Sequence, residues 1–412
     1  MRKFVTVALA AAAGISFAAL AADPVKIGVL MPLSGNSGNA GKSAVAAIEL
    51  AADIINSPHA GLAGLPLGAG KGLPKLGGAK VQLVVADHQG NPTEGQNQAL
   101  RLITQEHVAA IVGSYHSNVS FTATAIAERY GIPYVVGDSV AANITSRGFQ
   151  WVFRTTPIAS DFANNYMEFL NDQKKAGHPI SKLAIVYENT DYGTSVSGSV
   201  RDAAKAHGLD VVASIPYNAN GADVSPQVIQ MKEKNPDAII FISYTADSIL
   251  YMKTMKNLDY MPKVVIGDDS GFSDPAFVAG VADLAQGAIN RSAWDVGKKG
   301  SVTSIINDLY TKKTGHGMDD TSGRDMQAFF VLCDAINRAG SAKPDAVQKA
   351  LRETDLKPAQ LMMGYKGVKF DQTGQNTLAA TYLIQLIGKE YVAVWPSNKA
   401  QHALVYPFKG WK

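Results

Sequence analysis

Short apolar runs alternate along this chain with stretches whose apolar positions recur at helical spacing. Val25-Lys26-Ile27-Gly28-Val29-Leu30-Met31 is such a run, closed by Pro32 and the turn residues Ser34-Gly35-Asn36, and it predicts a buried strand. From about Ala40 to Ile55 the residues Val45, Ile48, Ala52 and Ile55 share one helical face. The same unit recurs as strand Val81–Ala86 with helix Thr93–Glu106, as strand Ala109–Val112 with helix Asn118–Tyr130, and as a strand at Pro133–Val136. Strand–helix alternation of this kind predicts a parallel sheet covered by helices on both faces.

A second series starts after Arg154, with helices over 158–175, 192–206, 224–234 and 245–257 and strands at Leu183–Tyr187, 209–215, Ala238–Ile242 and Val264–Ile266. The fold class is therefore α/β, with two doubly wound parallel-sheet lobes. From about residue 285 the chain adds strand-like Gly287–Arg291, helices near 300–313, 322–339 and 344–352, and late strands at Thr381–Ile387 and Tyr391–Trp395. A tail that mixes helices and strands after two complete series is expected to be shared between the lobes. Ser57–Ala79 stands apart: seven glycines and three prolines exclude helix or central strand, and predict a surface insertion rather than a lid.

Composition narrows the function. With 46% hydrophobic and 18% charged residues the chain is globular. Its net charge of 38 − 35 = +3, without a Lys/Arg run, leaves nucleic acid without the basic surface it needs. The N-terminus carries Arg2 and Lys3, an uncharged apolar stretch from Phe4 to Leu20, and Ala19-Leu20-Ala21, so residues 1–21 read as a secretory signal peptide. Without that leader the charge falls to 36 − 35 = +1. No cysteine follows it to carry a lipid, and no later apolar stretch of about eighteen residues predicts a membrane span. Cys333, the single cysteine, lies in the apolar run Ala328–Leu332 and reads as core.

Export also weakens nucleotide chemistry. Gly41-Lys42-Ser43 opens a helix after a strand, but a P-loop needs glycine at position 36, which is Asn36. Gly35, Gly38 and Gly41 miss the dinucleotide fingerprint, the histidines show no metal-ligand spacing, and no GxSxG turn offers a serine nucleophile. No enzyme, cofactor or metal is expected. Polar strand-to-helix turns remain: Gly113-Ser114-Tyr115-His116-Ser117-Asn118, Gly137-Asp138-Ser139-Val140, Glu188-Asn189-Thr190-Asp191-Tyr192-Gly193, Ser243-Tyr244-Thr245 and Asp268-Asp269-Ser270-Gly271. Open parallel sheets bind ligands outside the carboxyl ends of their strands, and helix N-termini there favour anions.

In the stretches Val25–Gly35, Val112-Gly113-Ser114, Thr145–Phe149, Phe153-Arg154-Thr155 and Asp191-Tyr192-Gly193, the chain resembles the type I periplasmic solute-binding proteins of ABC importers, in the branched-chain amino-acid (Leu/Ile/Val-binding) group. The resemblance implies a periplasmic monomer whose two lobes are joined by three crossovers, near 154–157, 287–291 and 364–378. The lobes would be 22–155 with 290–364, and 156–289 with 365–412. A ligand would be trapped by hinge closure and delivered to a membrane permease. Carried over by position, the ligand carboxylate falls on Ser117, Asn118, Ser139 and Val140, the amino group on Asp269, and the closing tyrosines on Tyr192 and Tyr244. The chain departs from the pattern at Asn39-Ala40, where an aromatic is often found, at Val140 in place of a hydroxyl, and at Asp269 in place of glutamate. Asp138 adds an acid. The pocket is therefore reshaped, with Tyr115 and His116 as candidates to line it. Two ligand classes stay open, an amino acid or related small carboxylate and an amine-free compound such as an aromatic carboxylate, amide or urea. An exported hydrolase is the third reading, opposed by the missing nucleophile, metal spacing and acid pair.

Overall fold

The computed structural model describes residues 22–411, so the expected leader lies outside the described residues. The first series forms β1 (Val25–Met31), α1 (Gly38–Asn56), β2 (Val81–Asp87), α2 (Pro92–Thr104), β3 (Ala110–Gly113), α3 (Ser117–Tyr130), β4 (Tyr134–Val136) and β5 (Val152–Arg154). These strands make one parallel sheet in the order β2-β1-β3-β4-β5. β1 is central and apolar on both faces because helices cover both sides. The short edge strand β5 has no apolar run long enough to be predicted.

The second series forms α4 (Ala159–Lys175), β6 (Lys182–Glu188), α5 (Asp191–Ala206), β7 (Asp210–Tyr217), α6 (Ser225–Lys234), β8 (Ala238–Ile242), α7 (Thr245–Asn257), β9 (Val264–Gly267), α8 (Ser270–Ser273), α9 (Pro275–Val281) and β10 (Ile289–Ser292). The tail adds α10 (Val302–Thr314), α11 (Asp320–Ala339), α12 (Pro344–Arg352), β11 (Asp355–Leu356), β12 (Val368–Lys369), β13 (Tyr382–Ile387) and β14 (Glu390–Trp395). The second sheet runs β14-β13-β10-β9-β8-β6-β7. Its last two strands are antiparallel, so this lobe is mixed rather than wholly parallel. Only Gly388 and Lys389 separate β13 from β14, and so short a loop returns the chain antiparallel.

The tail is shared, as its mixed pattern predicts. Helices α10 and α11 pack on α1 in the first lobe, while β13 and β14 complete the second sheet. The expected change of lobe at 289/290 falls inside β10, which pairs with β13 from Ile289 to Ser292. Its polar end, Asn290-Arg291-Ser292, imitates a strand exit. Residues after 364 do not pass at once to the second lobe either: Gln375 bridges Arg154 beside β5, and Asn376 donates to the Arg154 carbonyl at 2.9 Å.

Two glycines explain motifs that resemble chemistry. A Cβ on Gly41 would lie 1.8 Å from the Pro32 carbonyl oxygen, so the Gly-Lys-Ser start of α1 serves close packing on the turn after β1. A Cβ on Gly193 would meet the Glu188 carbonyl oxygen equally closely, at 1.8 Å, which accounts for the glycine after Tyr192. The 57–79 insertion is anchored: Leu62, Leu65 and Leu73 are buried, and the Lys75 amide donates to Asn337 at 3.0 Å. Asn337 ends the helix whose first turn faces the cleft, about 25 Å away at 1.5 Å per residue. Cys333 is fully buried, and burial pushes its thiol well above the usual range. Among the described residues no helix is long and apolar enough to cross a membrane.

Candidate ligand-binding site

The carboxyl ends of the two sheets face each other across a closed cleft. In the first lobe the turns after β3 and β4 are tied together. The Ser139 hydroxyl donates to the carbonyls of Ser114 (2.6 Å) and Tyr115 (3.1 Å) and pairs with Ser120 Oγ. Buried Arg154 donates to the Ala141 carbonyl at 2.7 Å and through Nε to Gln375 Oε1 at 2.6 Å, so one guanidinium fixes the turn and the third crossing. Ser117 Oγ accepts from the Ala141 amide at 3.4 Å. Val140 is buried, and its carbonyl accepts from Ala159 at the first crossing. Ser139 and Val140 thus build the turn, and the Ser139 hydroxyl is fully engaged.

The start of α3 differs. His116 occupies its N-cap without donating or accepting a capping bond, so no side chain answers the amide groups of its first turn. The start of α5 is the opposite case. There Glu188 accepts from Gly193 N at 2.6 Å, Thr190 N at 2.7 Å and Thr190 Oγ1 at 2.8 Å, so a carboxylate of the chain itself fills the anion seat.

Aromatic rings close the cleft over the α3 start. Tyr115 and His116 from the first lobe lie 5.6 and 4.9 Å from Tyr244 of the second, and Tyr244 lies 5.4 Å from Tyr192. The Tyr192 hydroxyl donates to Asp268 Oδ2 at 2.8 Å. By contrast Tyr115 Oη, Tyr244 Oη, His116 Nδ1 and Asn118 Oδ1 are buried without a hydrogen-bond partner among the described residues. Burial raises both phenols well above their ordinary range, the nearby Ser270 hydroxyl offsetting this only in part for Tyr115 and the Thr190 hydroxyl for Tyr244, and pushes His116 well below its own, so all three stay neutral. A small pocket of about 110 Å³ beside His116 and Tyr244 is lined also by Ser34, Gln89, Asn118 and Thr190. A larger groove of about 1240 Å³ lies beside α9 and β13, and none of the sequence-predicted residues line it.

The deep end of the cleft is a buried ionic network that sequence reasoning missed in part. Arg324 of α11 contacts Asp269 and Asp138 and lies 3.0 Å from Asp320 Oδ2 through Nε. Arg291 of β10 reaches Asp269 Oδ2 at 2.9 Å and stacks over Phe162. Ser273 donates to the other Asp269 oxygen at 2.7 Å. Burial alone would raise the Asp269 carboxyl, but Arg291 and Arg324 hold it below its ordinary value. For Asp138 burial outweighs Arg324 and the shift is upward. Asp269 also sits at φ +54°, a left-handed conformation that costs about 1–3 kcal/mol and is held by these contacts. Arg291, Asp320 and Arg324 lie in the polar stretches Asn290-Arg291-Ser292 and Asp319–Asp325, so no local pattern set them apart.

Residues 24–390 match the family model described as periplasmic binding protein. The chain belongs to the periplasmic binding protein family. Over 394 residues it is 32% identical to a Leu/Ile/Val-binding protein homolog 8 from Brucella suis, covering 93% of each chain. It is similar in fold to the branched-chain amino acid transporter substrate binding protein LivJ from Streptococcus pneumoniae in complex with isoleucine, with TM-score 0.77, 20% identity, and 93% and 100% of the two chains covered. A solute binding protein from Rhodopseudomonas palustris in complex with 3,4-dihydroxy benzoic acid aligns with TM-score 0.75 and 18% identity over 94% and 99%. Like other solute receptors, this binding protein is two α/β lobes with a cleft between them. Ser117, Asp138, Tyr192, Tyr244 and Asp269 are buried, and Asn118 is half-buried with its Oδ1 enclosed.

Proposed function

We propose that this binding protein is a periplasmic receptor that encloses an amino acid or related small carboxylate between its lobes and delivers it to the permease of an ABC importer. One observation carries the reading. The uncapped start of α3 faces a cleft in which two phenol hydroxyls, an imidazole nitrogen and an amide oxygen are buried and unpartnered. Each such group costs about 1–3 kcal/mol while unpaired, so a ligand that meets them is strongly favoured. A carboxylate fits the amide groups and dipole at the helix start, and the phenols add donors. A neutral amide or urea leaves the dipole unused. The names of the Brucella relatives, the isoleucine in the pneumococcal protein and the aromatic acid in the Rhodopseudomonas protein support a small carboxylate.

Calorimetric titration of the purified protein with leucine, isoleucine, valine, phenylalanine, benzoate and 3,4-dihydroxybenzoate tests the reading. Saturable binding of at least one is expected. No heat from any of them at millimolar concentration overturns it.

A further inference from the structure

Asp269 follows β9 in the second lobe and, at 2% exposure, is one of the buried acids between the lobes. Its carboxylate is already taken. Oδ1 accepts from Ser273, while Oδ2 meets Arg291 at 2.9 Å and Arg324 from the opposite lobe. Arg324 also contacts Asp138, the other acid of the cleft turns, and donates through Nη1 to the Asp138 carbonyl and Thr156 Oγ1, both at 3.1 Å. Of the neighbouring acids, Asp138 Oδ1 and Asp320 Oδ2 face Arg324 without a well-formed hydrogen bond, and Asp325, whose oxygens also lack a hydrogen-bond partner among the described residues, is raised by burial to about 7. Asp268 accepts from Tyr166 and Tyr192, and Asp320 accepts the backbone amide of Ala293 at 2.6 Å and that of Trp294 at 3.1 Å. The groups left without partners at the α3 side of the cleft are neutral.

We infer that the Arg324 guanidinium stands in for a ligand ammonium, so that this receptor selects small carboxylates lacking an α-amino group. This rests on the carboxylate-receptor reading above and names its ligand class. An amino acid could pair its ammonium with Asp269 only by displacing Arg324, which would leave a fully buried guanidinium short of its counter-ions. That penalty falls on the amine-bearing ligand alone, which is how a binding site discriminates between two near-identical molecules.

The test is titration of the wild-type protein with matched pairs: 4-methylpentanoate and leucine, 3-phenylpropanoate and phenylalanine, 3-(4-hydroxyphenyl)propanoate and tyrosine. In any pair that binds, the amine-free member is expected to bind at least about tenfold tighter. An amino acid that binds as tightly as its amine-free partner, or more tightly, overturns the inference while leaving the carboxylate receptor standing. If no acid of either series binds, the receptor reading falls and takes the inference with it. Arg324→Gln, with its fold checked by thermal melting, is expected to narrow or invert the preference, and Arg324→Lys to retain it. An unchanged ratio in Arg324→Gln counts against Arg324 as the determinant. Because the wild-type ratio decides the matter first, a variant that fails to fold does not rescue the idea.

Discussion

Two helix starts and two sets of polar groups face the same cleft, and they are in opposite states. At α5 the chain has filled its own anion seat with Glu188, and at the deep end two arginines saturate Asp269. At α3 the first-turn amides have no side-chain cap, and Tyr115, Tyr244 and Asn118 each bury an unpaired polar atom. The arginines hold Asp269 in one lobe arrangement, although Asp138, Asp320 and Asp325 keep oxygens without a hydrogen-bond partner there, so the contrast is between charged groups held by ion pairs and neutral groups left unpaired. The neutral groups carry a standing cost that a ligand able to meet them relieves. On the function proposed above, the two halves of the cleft divide the work: one fixes geometry and charge, the other meets the ligand.

The largest effect is expected where the ion-paired half is broken. Arg324→Met removes the counter-ion of Asp138 and Asp269 together. Leaving one member of a buried ion pair alone costs about 3–5 kcal/mol. Urea unfolding should show an unfolding free energy lowered by that much; a loss below about 1 kcal/mol would mean that the network contributes little to the fold.

A smaller effect separates the halves by pH. Burial raises Asp325, beside Arg324, to about 7, and both its oxygens lack a hydrogen-bond partner among the described residues. The folded protein then holds a proton that the unfolded chain releases above about pH 4, so stability falls as pH rises from about 4 to 7. His88, on the first-lobe side, is depressed by burial to about 4. Its folded form binds fewer protons than the unfolded chain between about 4 and 6.5, so its contribution is lost as pH falls through that window. Asp325→Asn should match wild type near pH 4 and exceed it at pH 8 by on the order of 2–4 kcal/mol, while the acid-side loss persists. Denaturant melts across pH that show a constant difference would assign the gain to packing instead.

Much of this was legible in the sequence, and the rest was hidden for a physical reason. Apolar periodicity located nearly every strand and helix, because burial on both faces of a parallel sheet writes itself into composition. The helix over Thr245–Asn257 and the strand over Ala238–Ile242 fell where they were expected. Polar turns at strand ends pointed to the facing ends of the sheets, where Ser117, Tyr192, Tyr244 and Asp269 are buried and Asn118 is half-buried. What stayed hidden was which polar groups are already paired. Ser139 read as a ligand donor, yet its hydroxyl bonds the neighbouring turn, and Asp269 read as an open carboxylate, yet it is held by Arg324 from 55 residues further along the chain. Pairing between distant residues leaves no local periodicity. Arg291 and Arg324 sit among polar neighbours, so their pairing left no local hint either.

The smallest expected effect is also the sharpest, because one deletion made in two touching rings should change stability with opposite signs. Tyr192 and Tyr244 lie 5.4 Å apart, but the Tyr192 hydroxyl donates to Asp268 while that of Tyr244 is buried without a partner. Tyr192→Phe leaves Asp268 short of a donor and should lower the stability of the ligand-free protein by about 1–2 kcal/mol. Tyr244→Phe removes an unsatisfied group, keeps the ring contacts that close the cleft, and should raise ligand-free stability by about 1 kcal/mol. The same change should weaken ligand binding about fivefold, since the hydroxyl that costs stability in the empty cleft is a donor in the filled one. Thermal melts with and without saturating ligand read both quantities. A Tyr244→Phe protein that is less stable when empty, or binds as tightly as wild type, would place Tyr244 among the paired groups and remove the contrast on which the division of the cleft depends.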